Sequence, residues 1–305
     1  MPVTYLDIND AEDVGQRLDN FLTRLLKGVP RPMIYRVVRK GEVRVNGGRV
    51  KVSYRLQLHD RVRIPPVRTA AEMPVQYSPA TAELLLAATV FDDDDFLVLN
   101  KPPGIAVHGG SSISSGVVEI LRAATGNNRL ELVHRLDRGT SGCLILAKRR
   151  AALVEAQNAF RARTVKKIYE AFVEGQWPVS CRTVQLRLKR YETSSGERRV
   201  RVDSSGQSAR TDFSILDTAS TATRLRAVLH TGRTHQIRVH TSATGHPMCG
   251  DDKYGLPGAK PAPRYARLCL HARKLQVPVG ADMLRIEAPV DDDMERIWLE
   301  LAERR

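Results

Sequence analysis

The chain has 305 residues, enough for about two domains, and carries a formal net charge of +14 at pH 7. This excess of basic residues favours a polyanionic partner, with nucleic acid ahead of an anionic membrane. Aromatic residues make up only 5% of the chain, which argues against a surface that reads bases mainly by stacking.

The cysteine pattern and the N-terminus bear on the compartment. The four cysteines are scattered and form no C-x-x-C pair, which argues against a zinc ribbon and a disulfide framework. The first ten residues lack the basic and apolar regions of a signal peptide. The longest apolar stretch, near residues 84–91, is far shorter than the roughly 20 residues of a membrane span. We therefore expect a cytoplasmic protein.

The N-terminal region predicts a small module of two helices and short strands. The first helix begins near Gly15, and Gly28 and Pro30 end it. The second helix spans residues 31–40. Strands are predicted at residues 43–45, 49–51 and 60–64, with an Asn-Gly hairpin turn between the first two.

Basic residues are concentrated in this module. Residues 31–68 hold eleven Lys or Arg and two Asp or Glu, and this density on one helix and one hairpin favours a nucleic-acid-binding face over a scattered solvated surface. Residues 14–64, with the segments 17–19 and 39–47, resemble an S4 domain, a small α/β RNA-binding module. The resemblance implies an RNA-binding domain over residues 14–68. Its expected RNA contacts are Arg17, Arg31, Arg36, Arg39, Lys40, Arg44, Asn46 and Lys51.

The rest of the chain predicts a linker and a larger domain. Residues 69–83, rich in Pro and Ala, are interpreted as a semi-extended linker, and residues 84–305 as the second domain. Four aspartates separate two apolar runs, residues 84–91 and 96–99, which we interpret as a hairpin. Helices are expected at residues 115–125, 150–163 and from about 294, and strands at residues 166–173, 184–188, 198–202, 209–216, 224–229, 267–272 and 283–290. Without a βαβ rhythm, the fold class is α+β with a mixed, mainly antiparallel sheet.

Asp137 is the first candidate for chemistry. It lies between Arg135 and Arg138, and turn-forming residues and an apolar run at 143–147 follow, so we expect a tight loop that enters a buried strand. Two flanking cations favour an ionised carboxylate and attract a phosphate-bearing substrate. Such an acid can act as a nucleophile at a sugar carbon. The alternative is a surface salt bridge that caps a turn.

Residues 230–240 form a second dense stretch, with three histidines. His235 and His240 are five apart, which places them on no common helical or strand face, so we expect no metal site. Thr234 can cap a short helix, and Arg233 would project from the preceding loop towards Asp137 or a substrate phosphate, or simply be solvated. Tyr169, in a predicted strand, points to a pocket or belongs to the core.

Several of these motifs together resemble one family. Residues 134–142, His-Arg-Leu-Asp-Arg-Gly-Thr-Ser-Gly, are similar to motif II of the RluA-type pseudouridine synthases. Tyr169 matches the Lys-x-Tyr motif, and residues 232–240 and 268–272 match the remaining motifs. The resemblance implies a pseudouridine synthase domain that isomerises specific uridines of 23S (large-subunit) ribosomal RNA, free or in an assembly intermediate. It implies no metal or organic cofactor and no obligate protein partner.

The resemblance also implies roles for residues. The target uridine flips into a pocket, and Asp137 attacks the ribose or abstracts a ribose proton. The uracil then detaches, rotates and rejoins the sugar through carbon. Arg233 would pair with Asp137, Tyr169 would stack on the base and could take the last proton, and Leu270 would pack beneath the pocket. RNA contacts are expected from His134, Arg135 and Arg138.

Other functions remain open from the sequence. The same chemistry could act on another RNA or at other ribosomal RNA sites, or the chain could be a non-catalytic RNA-binding or ribosome-assembly factor. The intact Asp137, Tyr169 and Arg233 argue against the last possibility. A hydrolytic glycosidase would normally need a second carboxylate, and only Glu131 and Glu170 lie nearby in the sequence, in unlike surroundings.

Overall fold

A computed structural model describes residues 3–26, 28–67, 77–109, 115–255 and 265–303. The chain divides into two compact units, residues 1–76 and 77–305. Most of the predicted linker, residues 69–76, lies outside the described residues. Residues 79–83 belong to a helix of the second unit. Within the described ranges, no helix is long and apolar enough to cross a membrane.

The first unit has two helices and a three-stranded antiparallel sheet. Its elements are β1 (Thr4–Asp7), α1 (Leu18–Leu25), α2 (Arg31–Arg39), β2 (Arg44–Val45) and β3 (Arg61–Ile64). The strand order is β1-β3-β2. Apolar residues at helical spacing on α1 and α2 pack with residues of β2 and β3 in one core.

Two details of this unit differ from the sequence prediction. The Asn46-Gly47 turn forms, with positive φ values of 51° and 78°, but the chain leaves the hairpin at once and residues 49–51 are not a strand. The partner of β2 is instead the later strand β3. The strand β1, which pairs antiparallel with β3, was not predicted because four residues carry little periodic signal.

The second unit combines five described helices with eleven strands. The helices are α3 (Pro79–Ala87), α4 (Val117–Thr125), α5 (Arg150–Ala162), α6 (Gln236–Ala243) and α7 (Asp292–Glu303). The strands are β4 (Thr89–Asp92), β5 (Phe96–Lys101), β6 (Glu131–Leu132), β7 (Ser141–Ala147), β8 (Lys166–Glu174), β9 (Thr183–Glu192), β10 (Arg198–Val202), β11 (Gln207–Thr218), β12 (Ala222–Leu229), β13 (Leu270–Val279) and β14 (Asp282–Glu287).

These strands form one eleven-stranded sheet. The order is β10-β9-β11-β12-β8-β13-β7-β5-β4, with β14 beside β13 and β6 beside β7. The pairing of β13 with β7 is parallel, and the other described pairings are antiparallel. The predicted α+β class with a mixed, mainly antiparallel sheet is therefore confirmed.

The predicted strand at residues 84–91 is wrong in its first half. Residues up to Ala87 continue α3, and only β4 pairs with β5 as the expected hairpin. Ser78 caps the helix, since its Oγ accepts the N–H of Thr81 at 3.1 Å, and Pro79 occupies the first turn. A short apolar run does not by itself distinguish a buried helix from a strand.

Strand β7 lies at the centre of the main core. All seven of its residues are buried, and it runs between β5 and β13. Gly142 allows this close pairing, because a Cβ there would meet the carbonyl oxygen of Ala272 at 2.3 Å. The loop before β7 and the start of β13 are therefore held together.

Candidate active site

A cleft of about 1290 Å³ opens in the second unit. It is lined by four residues that the sequence singled out, Asp137, Tyr169, Arg233 and Leu270. Its described lining holds ten Lys or Arg side chains against two carboxylates, Asp137 and Glu192. This balance produces a positive field that would concentrate a polyanionic substrate around Asp137.

Asp137 lies on a tight loop that enters β7, as predicted. Its carbonyl accepts the N–H of Thr140 at 3.0 Å, and its side chain is 35% exposed, so the carboxylate is accessible from the cleft. The flanking Arg138 points away, since its Nε donates to Gly104 O at 2.8 Å. Arg135 is exposed in the cleft and has no ion-pair partner within the described ranges. The loop therefore presents one carboxylate and one available guanidinium.

Lys101 supports this loop and was missed in the sequence. It is fully buried at the end of β5, where its Nζ donates to Pro102 O at 2.7 Å, Ile105 O at 2.9 Å and Arg138 O at 3.3 Å. Burial, followed by the charge of Arg267, lowers the pKa of Lys101 to about 7, while Asp137 opposes the shift. The only sign of this role in the sequence was a lysine at an inward position of an apolar strand.

Tyr169 and Leu270 supply an apolar surface within the cleft. Tyr169 lies in β8, and it packs against two clusters of buried apolar residues. Leu270, the first residue of β13, is 4% exposed. Burial first, and the charge of Asp137 second, raise the pKa of Tyr169 well above its usual value, so the phenol is neutral. A neutral ring beside a carboxylate suits a planar base.

The ionisable side chain next to Asp137 is His235, to which the sequence analysis assigned no role. Its Nε2 lies 3.8 Å from Asp137 Oδ2, and its Nδ1 lies 2.6 Å from the hydroxyl of Tyr254. The Val200 N–H donates to that hydroxyl at 2.9 Å. The hydroxyl proton is thus available to Nδ1, which leaves the imidazole proton on Nε2, facing Asp137. Burial lowers the pKa of His235, against the opposing effect of Asp137.

Arg233 lines the cleft without the expected partner. Its Nε donates to Ser208 O at 3.3 Å, and no ion pair between Arg233 and Asp137 occurs within the part of the chain that the structure describes. The expected helix cap is also different. His235, with φ of 52°, precedes α6, and the buried side chain of Gln236 accepts the Arg233 N–H at 3.0 Å. Thr234 therefore does not cap the helix, and the Gln236 side chain instead fixes the loop that precedes it.

An ion pair beneath α6 fixes Tyr254. Arg238 bonds both oxygens of Asp251, at 2.8 and 2.6 Å, and the two side chains are 5% and 0% exposed. Asp251 in turn accepts the Tyr254 N–H at 3.0 Å. These contacts hold Tyr254 against His235, and hence His235 against Asp137.

The remaining expected RNA contacts differ in their availability. His134 stacks on Phe160 and accepts the Ile145 N–H at 3.1 Å, and burial lowers its pKa to about 4, so it is a neutral support of the loop. In the first unit, Arg17 is paired with Asp19, and Asn46 bonds Asp60 and the Arg61 N–H. The exposed candidates there are Arg31, Arg36, Arg39, Lys40, Arg44 and Lys51.

The two carboxylates that the sequence offered as a second acid lie elsewhere. Glu131 is 3.9 Å from Arg150, and Glu170 is buried in an ion pair with Arg224. Neither lines the cleft. The arrangement around Asp137 is therefore unlike the pair of facing carboxylates of a hydrolytic glycosidase.

Three histidines with lowered pKa values predict acid sensitivity. Burial lowers the pKa of His134, His240 and His271 to about 4 from the ordinary 6.5. The unfolded chain therefore binds more protons, and stability falls as the pH drops below about 6.5. Each histidine should cost about 2 kcal/mol between pH 7.5 and pH 5. Urea unfolding at both pH values checks this, and His240→Leu should reduce the loss by about a third. An unfolding free energy independent of pH would contradict the prediction.

Comparison with known proteins identifies the family of the chain. The sequence profile of the RNA pseudouridylate synthase family matches residues 95–243, and that of the S4 domain matches residues 16–62. A Pasteurella multocida protein named ribosomal large subunit pseudouridine synthase C is 47% identical over 99% of this chain and 95% of its own length. The Haemophilus influenzae protein of the same name is 47% identical over 99% and 96%.

Solved structures agree in fold. Human RNA pseudouridylate synthase domain containing 4 aligns with a TM-score of 0.61 and 26% identity, over 73% of this chain and 95% of that one. Human RNA pseudouridylate synthase domain containing 1 aligns with a TM-score of 0.59 and 29% identity, over 70% and 86%. By sequence over nearly its whole length, the chain belongs to the RNA pseudouridylate synthase family and carries an S4 domain in its N-terminal unit.

Proposed function

We propose that this enzyme converts specific uridines of 23S ribosomal RNA to pseudouridine in the cytoplasm, with Asp137 as the reacting carboxylate. The observation that carries the proposal is the position of Asp137, accessible in a cationic cleft beside the neutral ring of Tyr169. The large-subunit RNA comes from the names of the relatives, which are nearly half identical to this chain.

The cleft supports a base-flipping route. The target uridine leaves its stack, its phosphates are attracted by Arg135 and Arg233, and its base packs on Tyr169 and Leu270. Unstacking costs a few kcal/mol, which these contacts offset. The flipped ribose then lies against the Asp137 carboxylate.

Asp137 starts the reaction in one of two ways. It attacks carbon 1′ of the ribose, or it removes a ribose proton; in either case the bond from carbon 1′ to the uracil nitrogen breaks and the uracil takes the bonding electron pair. The uracil rotates, its carbon 5 bonds to carbon 1′, and Asp137 is released or returns its proton. Carbon 5 then loses its proton, and the nitrogen that left the ribose gains one. No atom is gained or lost, so the product is an isomer. His235 is the neighbouring side chain that faces the carboxylate, with its Nε2 3.8 Å from Asp137 Oδ2.

Tyr169 is proposed to have two separable roles. Its ring stacks on the base, and its hydroxyl takes part in removing the proton from carbon 5. Tyr169→Phe keeps the ring and loses the hydroxyl, so RNA affinity should stay within about twofold, while the single-turnover rate should fall about 100-fold or more. Rapid-quench assays on labelled RNA check this. A Tyr169→Phe rate equal to wild type would leave only the stacking role.

The RNA target requires its own test. Purified protein is incubated separately with 23S ribosomal RNA, a large-subunit assembly intermediate, small-subunit ribosomal RNA and transfer RNA, and pseudouridines are mapped at nucleotide resolution. We expect modification of 23S RNA or its intermediate alone. Modification of transfer RNA or small-subunit RNA alone would retain the chemistry and overturn the proposed target. RNA binding without modification of any substrate would favour an assembly factor.

A further inference from the structure

The hairpin of β9 and β10 forms part of the cleft wall. Val184 and Leu188 of β9 are buried, and Arg190 and Glu192 continue the same strand face at spacing two. Beyond the core this face lines the cleft, where Arg198 of β10 lies directly opposite Glu192. The hairpin therefore extends a charged face beside the site that holds Asp137.

The cations on this face are not used by the fold. Arg190 is exposed, and its side chain forms no ion pair or hydrogen bond within the described ranges. The Arg198 Nε lies 3.4 Å from Glu192 Oε1, and the two side chains are 88% and 63% exposed. An ion pair that is so exposed contributes little to stability. Two guanidinium groups are thus available at the cleft.

The opposite face of the hairpin differs. There, Lys189 and Arg201 lie directly opposite each other on β9 and β10. Both are near Asp203, at 4.0 and 3.1 Å, so a carboxylate partly neutralises them. This face carries two further cations, Arg187 and Arg199, whose side chains are also hydrogen-bonded. Only the cleft face has two cations without a strong partner.

The hairpin is also fixed relative to the reacting carboxylate. The Val200 N–H donates to the Tyr254 hydroxyl at 2.9 Å, and that hydroxyl lies 2.6 Å from His235 Nδ1. Arg199 adds a bond from Nη1 to Lys253 O at 3.1 Å. The chain of contacts ends at Asp137, 3.8 Å from His235. A ligand held by the hairpin is therefore held at a set place relative to the chemistry.

We propose that the cleft face of this hairpin, Arg190 with Arg198, binds the phosphates of the single RNA strand next to the flipped uridine. Guanidinium groups suit phosphate oxygens, and a strand next to a flipped nucleotide must pass the mouth of the cleft. The inference rests on the proposed function and adds to it a docking site in the catalytic unit, apart from the S4 domain.

The test compares two double variants of the full chain. Arg190→Ala with Arg198→Ala removes the cleft-face cations, and Lys189→Ala with Arg201→Ala removes the same charge from the other face. Affinity for a 23S RNA fragment is measured from 50 to 300 mM KCl, together with kcat and KM for pseudouridine formation. Thermal unfolding of each variant verifies folding.

The cleft-face variant should bind about 10-fold more weakly near 0.15 M salt, and the slope of log affinity against log salt should fall by about 1.4. The loss should appear mainly in KM. The other-face variant should stay within about twofold in affinity. Arg190→Glu with Arg198→Glu should weaken binding further, because the added carboxylates repel the phosphates.

Equal effects from the two faces, or no effect from either, would overturn the inference. The two proposals can fail separately. If the wild type forms pseudouridine but the cleft-face variant binds RNA as well as the other-face variant does, the proposed function is retained and only the hairpin site is rejected. A wild-type enzyme that forms none on any RNA would instead reject the proposed function. Weakened binding by the cleft-face variant alone would still support an RNA-binding hairpin.

Discussion

Asp137→Asn is expected to abolish pseudouridine formation while leaving RNA affinity nearly intact. The amide has the same shape but can neither attack the ribose nor accept its proton, so both routes lose their first step. We expect the single-turnover rate to fall by roughly 10⁴-fold or more. The Asp137 side chain is partly exposed, and its ion-pair contact with His235 is long, at 3.8 Å. Because little stability depends on this contact, the substitution should not disturb the fold. Single-turnover assays with saturating enzyme measure the rate.

Glu131→Gln is the matched control. Glu131 is close to the Asp137 loop in sequence but lies outside the cleft lining, 3.9 Å from Arg150. The control should keep a rate within about threefold of wild type, in line with an exposed ion pair that contributes little. Turnover retained by Asp137→Asn would reject Asp137 as the reacting group. Equal loss in both variants would point to a fault common to the region.

The second large effect is expected from the basic face of α2. Replacing Arg31, Arg36, Arg39 and Lys40 by Gln removes four exposed cations while keeping residues that favour a helix. Four lost phosphate contacts should reduce the salt slope by about 3 and weaken RNA binding roughly 100-fold at 0.15 M salt. Titrations of labelled ribosomal RNA at several salt concentrations measure both quantities.

A variant with the same charge change provides the control. Lys148, Arg149, Lys274 and Arg296 each pair with a carboxylate on the surface of the second unit. Their replacement by Gln should change the salt slope by less than about 1, because those cations are already compensated. If the two variants lose the same affinity, net charge alone and not the α2 face would account for RNA binding.

The sequence predicted the local features of the site well. Residues 150–162 form the expected helix because its apolar pattern extends over several turns, and residues 198–202 form the expected strand. The loop of Asp137 was predictable because turn formers precede an unbroken apolar run. Residues 84–87 were wrongly assigned to a strand, since a short apolar run is ambiguous.

Contacts between distant parts of the chain were beyond sequence reasoning. Lys101 is tolerated in the core only because three carbonyls, one of them from the Asp137 loop, surround its ammonium group. His235 lies beside Asp137 because it contacts Tyr254, whose hydroxyl accepts the Val200 N–H of the edge strand β10. The resemblance implied an ion pair of Arg233 with Asp137, whereas in the structure His235 is the residue beside that carboxylate.

The most direct test is tritium release from a 23S ribosomal RNA transcript labelled at carbon 5 of uridine, with wild type beside Asp137→Asn. Joining carbon 5 to the ribose expels its hydrogen, so each isomerised uridine releases one tritium. Isomerisation that depends on Asp137 predicts release by the wild type, to a plateau set by the number of target sites, and none by the variant. Equal release by both proteins, or none by the wild type on either the transcript or a precursor particle, would contradict it.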